Sequence, residues 1–179
     1  MKQIKVIEVK SELGAGTRGA SMGVEAIKIA ALDFGSDYFK KFPSIEIQTE
    51  NQMLWEPARS TFARRGKGVL MVCERVAEAV KNTLKDEDFP FVLSGDHSSA
   101  TGTIAGIKMA YPKQRLGVIW IDAHADLHSP YTTPTGNLHG MPVAATLGED
   151  NIANKMNKPD KDTVELWARL KKVGGMSPK

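Results

Sequence analysis

Four short apolar runs, Ile4–Val9, Ile45–Thr49, Pro90–Leu93 and Leu116–Ile121, alternate along the chain with longer segments of helical pattern. Val24–Phe34 reads as a helix stopped by Gly35. Val69, Val72, Cys73, Val76, Val80 and Leu84 follow the i, i+3, i+4, i+7 spacing of an amphipathic helix. Helix signals resume from Ser98 to about Ala110, and Pro112 ends them. A short helix is expected near Pro142–Leu147 and a last one over Asp162–Lys172. Strands that alternate with helices restrict a chain to βαβ units. The expected fold is therefore α/β: a doubly wound, mainly parallel sheet with helices on both faces. At 179 residues the chain suits a single domain, 1–179, with enough material for a core. The last six residues, Gly174–Lys179, read as an unfinished tail.

Composition excludes several functions. Charged residues make up 25% of the chain and net charge is only +3, so no electrostatic case exists for nucleic acid. The lysines between Lys155 and Lys172 read as a solvated face. The single Cys73 rules out an intrachain disulfide framework and a cysteine-based zinc site. The N-terminus lacks a signal-peptide apolar region, and no stretch approaches the roughly 20 apolar residues that span a bilayer. A soluble, cytoplasmic protein with no membrane partner is the expectation.

Chemistry concentrates after the fourth run. Asp122-Ala-His124-Ala-Asp126 follows Leu116–Ile121 directly, at the carboxyl end of an expected strand, where open α/β sheets bind ligands. Alternation places i, i+2 and i+4 on one side of a strand. A fully extended path from Asp122 to Asp126 would cover roughly 13 Å, too far for one compact site, so a bend just after Asp122 is expected. Carboxylates and an imidazole without thiolates suit Mn²⁺, Mg²⁺ or Fe²⁺, and less distinctively Zn²⁺. A central carboxylate can bridge two ions.

His97 occupies the equivalent position after the third run, in Ser94-Gly-Asp-His-Ser98. Adjacent parallel strands would bring it beside the Asp/His cluster. His139 lies in a Thr- and Gly-rich loop that follows the cluster and could shuttle protons near neutral pH. Gly14-Ala-Gly16-Thr-Arg-Gly19 matches G-x-G-x-x-G literally. Four residues separate it from the strand, however, and the loop runs on to Gly23, so it is expected to be an irregular loop and not a dinucleotide site.

Ser94-Gly-Asp-His97-Ser, Asp122-Ala-His-Ala-Asp126 and Thr135-Gly-Asn-Leu-His139-Gly, in that order, resemble the arginase/agmatinase (ureohydrolase) family, and arginases most. The loop around Arg18, Gly19 and Gly23 is similar to that family's opening segment, and the likeness extends to about Leu147. The resemblance implies an arginase-like three-layer sandwich and two Mn²⁺ ions that activate a water for attack on a guanidinium carbon. His97 and Asp126 would hold one ion, His124 the other, and Asp122 would bridge. Asp126 and His139 would be catalytic, His139 as the proton shuttle. Thr135 and Asn137 would line the pocket for the substrate's α-carboxylate. Homo-trimers or hexamers are common in such a family.

The sequence departs from the family pattern in two places. His128 stands where arginases usually carry an asparagine that grips the α-carboxylate. The family also supplies two further aspartates as Asp-x-Asp from a later strand; here Asp160-Lys-Asp162 precedes a helical pattern and reads as a helix cap. The expected reaction is hydrolysis of arginine to ornithine and urea. Agmatinase, guanidino-acid hydrolase and formimidoylglutamase are the alternatives within the class. An incomplete member that acts only in folding or association is the alternative outside it. A calcineurin-like phosphoesterase is disfavoured because Gly-Asp-His precedes Asp-Ala-His and Leu138 separates Asn137 from His139.

Overall fold

A computed structural model describes residues 3–175. Met176–Lys179, most of the expected unfinished tail, lie outside the described residues. Among the described residues the sheet has three parallel strands in the order β2-β1-β3: β1 is Ile4–Val9, β2 Ser44–Glu46 and β3 Phe89–Ser94. Six helices accompany it: α1 Gly23–Asp33, α2 Tyr38–Lys41, α3 Gly66–Lys85, α4 Ala100–Ala110, α5 Pro142–Leu147 and α6 Lys161–Gly174.

Alternation along β1 divides the molecule into layers. Ile7 and Val9 point to one face and pack on Val72, Val76 and Val80 of α3. Glu8 points to the other face and meets Lys28 of α1 at 2.5 Å. Helices therefore cover both faces, as the alternating pattern predicts. α3 has two apolar flanks. The second carries Val69, Leu70 and Cys73 onto Ala144 and Ala145 of α5 and Trp167 and Leu170 of α6. α4 lies against α3 at backbone contact distance. A Cβ added at Gly102 would stand 2.5 Å from the carbonyl oxygen of Cys73, and one at Gly106 2.5 Å from that of Ala77. Asp160 caps α6, accepting the Thr163 N–H at 2.7 Å, the role its sequence context predicts. No helix among the described residues is long and apolar enough to cross a membrane.

The fourth expected strand does not form. Residues 116–121 join no sheet and make no backbone–backbone hydrogen bond, and Ile119 and Ile121 are 91% and 93% exposed. β propensity measures how well a side chain fits a pleated, half-buried surface. The apolar, β-branched run has that preference, but strand structure also requires a neighbour's N–H and C=O groups. The outer edge of β3 is unpaired, since β3 bonds only to β1, but 116–121 does not close onto it.

Candidate metal centre

His97 opens a short 3-10 turn, His97–Ser99, between β3 and α4. Its Nδ1 lies 3.0 Å from Asp122 Oδ2 and 3.0 Å from Asp126 Oδ2. One ligand atom from each of these three residues falls within 4.8 Å of the others. Trp120 stacks on the imidazole with ring centroids 4.5 Å apart, which fixes the ring plane from the side of the unpaired segment.

The chain bends at Asp122–His124, and Asp126 sits in the left-handed region at φ 50°. That turn brings Asp126 back beside Asp122. It also buries Asp126 and places its carbonyl oxygen on the N–H groups of Val143 and Ala144, at the start of α5. The same bend throws His124 outward. Its side chain is 83% exposed, with Nδ1 3.5 Å from Asp122 Oδ1. Simple alternation puts all three ligands on one side, whereas the structure gathers Asp122 and Asp126 and leaves His124 at the rim.

The two carboxylates differ in their electrostatics. Burial drives the Asp126 carboxyl above its ordinary acidity range. The nearby Asp122 charge adds to that rise, and His97, His139 and His124 oppose it. Asp122 is held below its ordinary range, first by the backbone N–H of His124, with desolvation opposing and the charges of His97 and His124 assisting. Asp126 Oδ2 is buried and, although His97 Nδ1 approaches to 3.0 Å, accepts no hydrogen bond. A buried carboxylate oxygen without a donor, beside a second carboxylate and an imidazole nitrogen, is a donor set that fits a hard or borderline divalent cation.

Beside the cluster opens a cleft of about 700 Å³, lined by His124, Asp126, His128, Thr135, Asn137 and His139 among others. His139 ends up exposed on a 3-10 turn, Leu138–Gly140, with its backbone N–H donated to the Gly14 carbonyl at 3.1 Å. His128 Nδ1 faces Thr132 Oγ1 at 3.2 Å. Thr135 Oγ1 accepts the Asn137 N–H at 3.2 Å. Asp160 and Asp162 line a separate hollow and do not join the cluster.

Two further residues shape the site. Trp120 stands in the apolar run, where the sequence marks it only as a strand residue. Asp96 lies two residues before Ser98, a spacing that signals a capped turn. Gly14–Gly19 is followed by a 3-10 turn, Ala20–Met22, consistent with an irregular loop and not a phosphate-binding helix start.

Comparison with known proteins agrees with this arrangement. A family model described as "Arginase family" matches residues 2–164. The chain is 35% identical to the arginase of Bacillus caldovelox, across 100% of this chain and 54% of that protein. It is 40% identical to the arginase of Bacillus subtilis (strain 168), across 82% of this chain and 49% of that protein. The native crystal structure of the Bacillus caldovelox arginase superimposes with a TM-score of 0.68 at 36% identity, over 86% of this chain and 52% of that one. The Entamoeba histolytica arginase, solved in complex with L-ornithine, gives a TM-score of 0.76 over 100% of this chain and 56% of that one; at 24% identity it supports the fold alone. The chain thus spans about half the length of the curated relatives it matches. With the motifs in order, the sheet and helices in place and two-thirds of the ligand cluster assembled from one bent segment, the chain belongs to the arginase family.

Proposed function

We propose that this chain contributes the first half of a single α/β hydrolase domain whose binuclear manganese site cleaves a guanidino substrate, with arginine to ornithine and urea as the favoured reaction. The observation that carries this reading is the convergence of His97, Asp122 and Asp126 around the donor-less Asp126 Oδ2, at the edge of the cleft holding His139. His97 and Asp126 would hold one ion, Asp122 would reach both, and His124 would serve the second from the rim. Bound Mn²⁺ supplies the Lewis acidity that makes water nucleophilic at neutral pH.

The remaining roles belong to the chain's own side chains. Thr135 Oγ1 and the Asn137 carboxamide bind the substrate's α-carboxylate, and His128 stands across the same cleft. These groups orient the guanidinium end toward the carboxylate cluster. Tight orientation is worth several kcal/mol of a hydrolytic barrier. His139 moves a proton between its ring nitrogen and the departing amine. The name arginase carried by the relatives supports arginine over agmatine or a guanidino acid as substrate.

A second reading is favoured by a specific observation. Among the described residues only three ligand residues gather here, and 116–121 lacks strand partners, which suits an incomplete member that acts through folding or association. Urea and amine release from arginine, agmatine and guanidino acids with Mn²⁺ distinguishes the two. The chain of 179 residues alone is expected to bind metal weakly and turn over little. Any continuation of its reading frame that restores an Asp-x-Asp strand is expected to release urea from arginine. Robust release by residues 1–179 alone would overturn the incomplete-site argument. Release of amine from agmatine in preference to arginine would overturn the substrate assignment.

A further inference from the structure

We infer that Asp96 is a positioning residue that sets His139 and Asn137 against the ligand cluster, acting through the glycine loop at Gly14–Gly16. Asp96 is buried, and its two carboxylate oxygens serve different parts of the chain. Oδ1 accepts the Ser98 N–H at 2.8 Å, closing the turn that presents His97. Oδ2 accepts the Gly14 N–H at 3.1 Å, from a residue 82 positions away. On the far side of the same residue, the Gly14 carbonyl accepts the His139 N–H at 3.1 Å. A single residue therefore joins the turn that carries a candidate ligand to the turn that carries the candidate proton shuttle.

The loop also touches the cleft wall. A Cβ at Gly14 would lie 2.6 Å from Ser98 Cβ and 2.7 Å from Asp96 Oδ1, so the close approach requires glycine. A Cβ at Gly16 would lie 2.7 Å from Asn137 Nδ2. Gly16 thus lies against the Asn137 carboxamide as a packing contact, whereas Gly14 holds the His139 backbone by a hydrogen bond. The carboxylate chemistry suits this coupling, because two separate N–H donors need two acceptor oxygens on one side chain. A carboxamide of the same shape offers one acceptor and turns its NH₂ toward the other donor.

The relevance of His139 and Asn137 rests on the function proposed above, but the coupling can be read without turnover. The test is amide hydrogen exchange by NMR on the ¹⁵N-labelled 179-residue chain. In Asp96→Asn, the Ser98 arm closes within one turn and is retained, while the long-range Gly14 arm is lost. The Gly14 and His139 amides are then expected to exchange together, roughly tenfold faster, the size of one net hydrogen bond. The Ser98, Val143 and Ala144 amides are expected to stay protected. Faster exchange at Gly14 with an unchanged His139 would break the proposed chain of contacts and overturn it, as would no change at either.

Should Asp96→Asn loosen the whole fold, α3 amides would accelerate equally, and Gly16→Ala then decides the matter. That variant is expected to shift the Asn137 side-chain amide resonances while the Gly14 and His139 backbone amides keep their protection. Unmoved Asn137 resonances overturn the inference. In any catalytically active form, Gly16→Ala should raise KM more than it lowers kcat. An absence of urea release from arginine in a continuation of the reading frame that carries an Asp-x-Asp strand would refute the functional reading and leave the exchange result standing.

Discussion

Asp126 concentrates the chemical conflict of the site in one side chain. It is buried, pushed toward protonation by its surroundings and provided with an oxygen that no donor satisfies. A cation relieves all three conditions at once. Asp126→Ala and Asp122→Ala are expected to weaken Mn²⁺ binding by more than the roughly 10–100-fold that loss of a supporting residue costs. His124→Ala should spare the first equivalent and remove the second, because His124 stands outside the three-residue group. His139→Ala should leave metal content intact and lower turnover. Calorimetric titration with Mn²⁺ reads metal binding in all four and a urea-release assay reads the turnover of His139→Ala; an equal loss of the first equivalent in His124→Ala would move that residue into the tighter site. The identity of these residues was legible in their spacing. The bend just after Asp122 was legible too, from the reach of an extended path, and the chain bends at Asp122–His124. What alternation could not foresee is Asp126, a non-glycine residue at φ 50°, and the outward turn of His124.

α3 is the element that sequence pattern described most faithfully. A 3.6-residue period records which face is buried without needing to know the partner, and both apolar flanks of α3 find cores. What the period cannot encode is how closely a partner approaches. Gly102 and Gly106 let α4 approach the α3 backbone, and Gly102→Ala or Gly106→Ala is expected to cost about 1–3 kcal/mol through overpacking. Gly23→Ala, with open space around the new methyl, serves as the control. Urea midpoints measure the difference, and equal midpoints for all three variants would contradict the close helix approach.

β1 carries a second hidden device. Burial drives Glu8 upward, but the ammonium groups of Lys28 and Lys10, with Ser44, outweigh it and hold the carboxyl below its ordinary range. Lys10 is shared with Glu25 of α1 and Glu46 of β2, at 2.6 and 2.7 Å. The cluster therefore fastens α1 and β2 to β1. Because the folded value lies below the unfolded one near 4.3, this stabilisation is complete above that value and is lost as pH falls through the folded one. Glu8→Gln is expected to lower stability at pH 7 by about 1–3 kcal/mol and to flatten its dependence between pH 5 and pH 3. An unchanged acid slope in the variant would refute the cluster's role.

At the scale of the molecule, the layered α/β plan followed from the order of strands and helices alone, because each βαβ unit is a local decision. The extent of the sheet did not follow. Pairing joins residues distant in sequence, and Leu116–Ile121 has the composition of a strand whatever its neighbours provide. β3 and 116–121 each present unmatched apolar surface, Phe89 and Phe91 on one and Val118, Ile119 and Ile121 on the other.

The exposed run also bears on how the chain behaves in concentrated solution. Leu-Gly-Val-Ile-Trp-Ile carries no charge and no proline, and its backbone groups are free to bond. Such a segment can recruit identical segments into cross-β stacks. Association should rise steeply with concentration and show a lag that seeding removes. Ile119→Lys places a charge on a side chain that is already 91% exposed. It is expected to suppress light scattering while leaving the thermal midpoint within a degree or two, the size of a ±0.5 kcal/mol surface change. A fall of many degrees would mean that Ile119 is packed. With the run exposed, the residues just upstream of the candidate ligand cluster set the concentration at which this chain can be handled, independently of any catalysis.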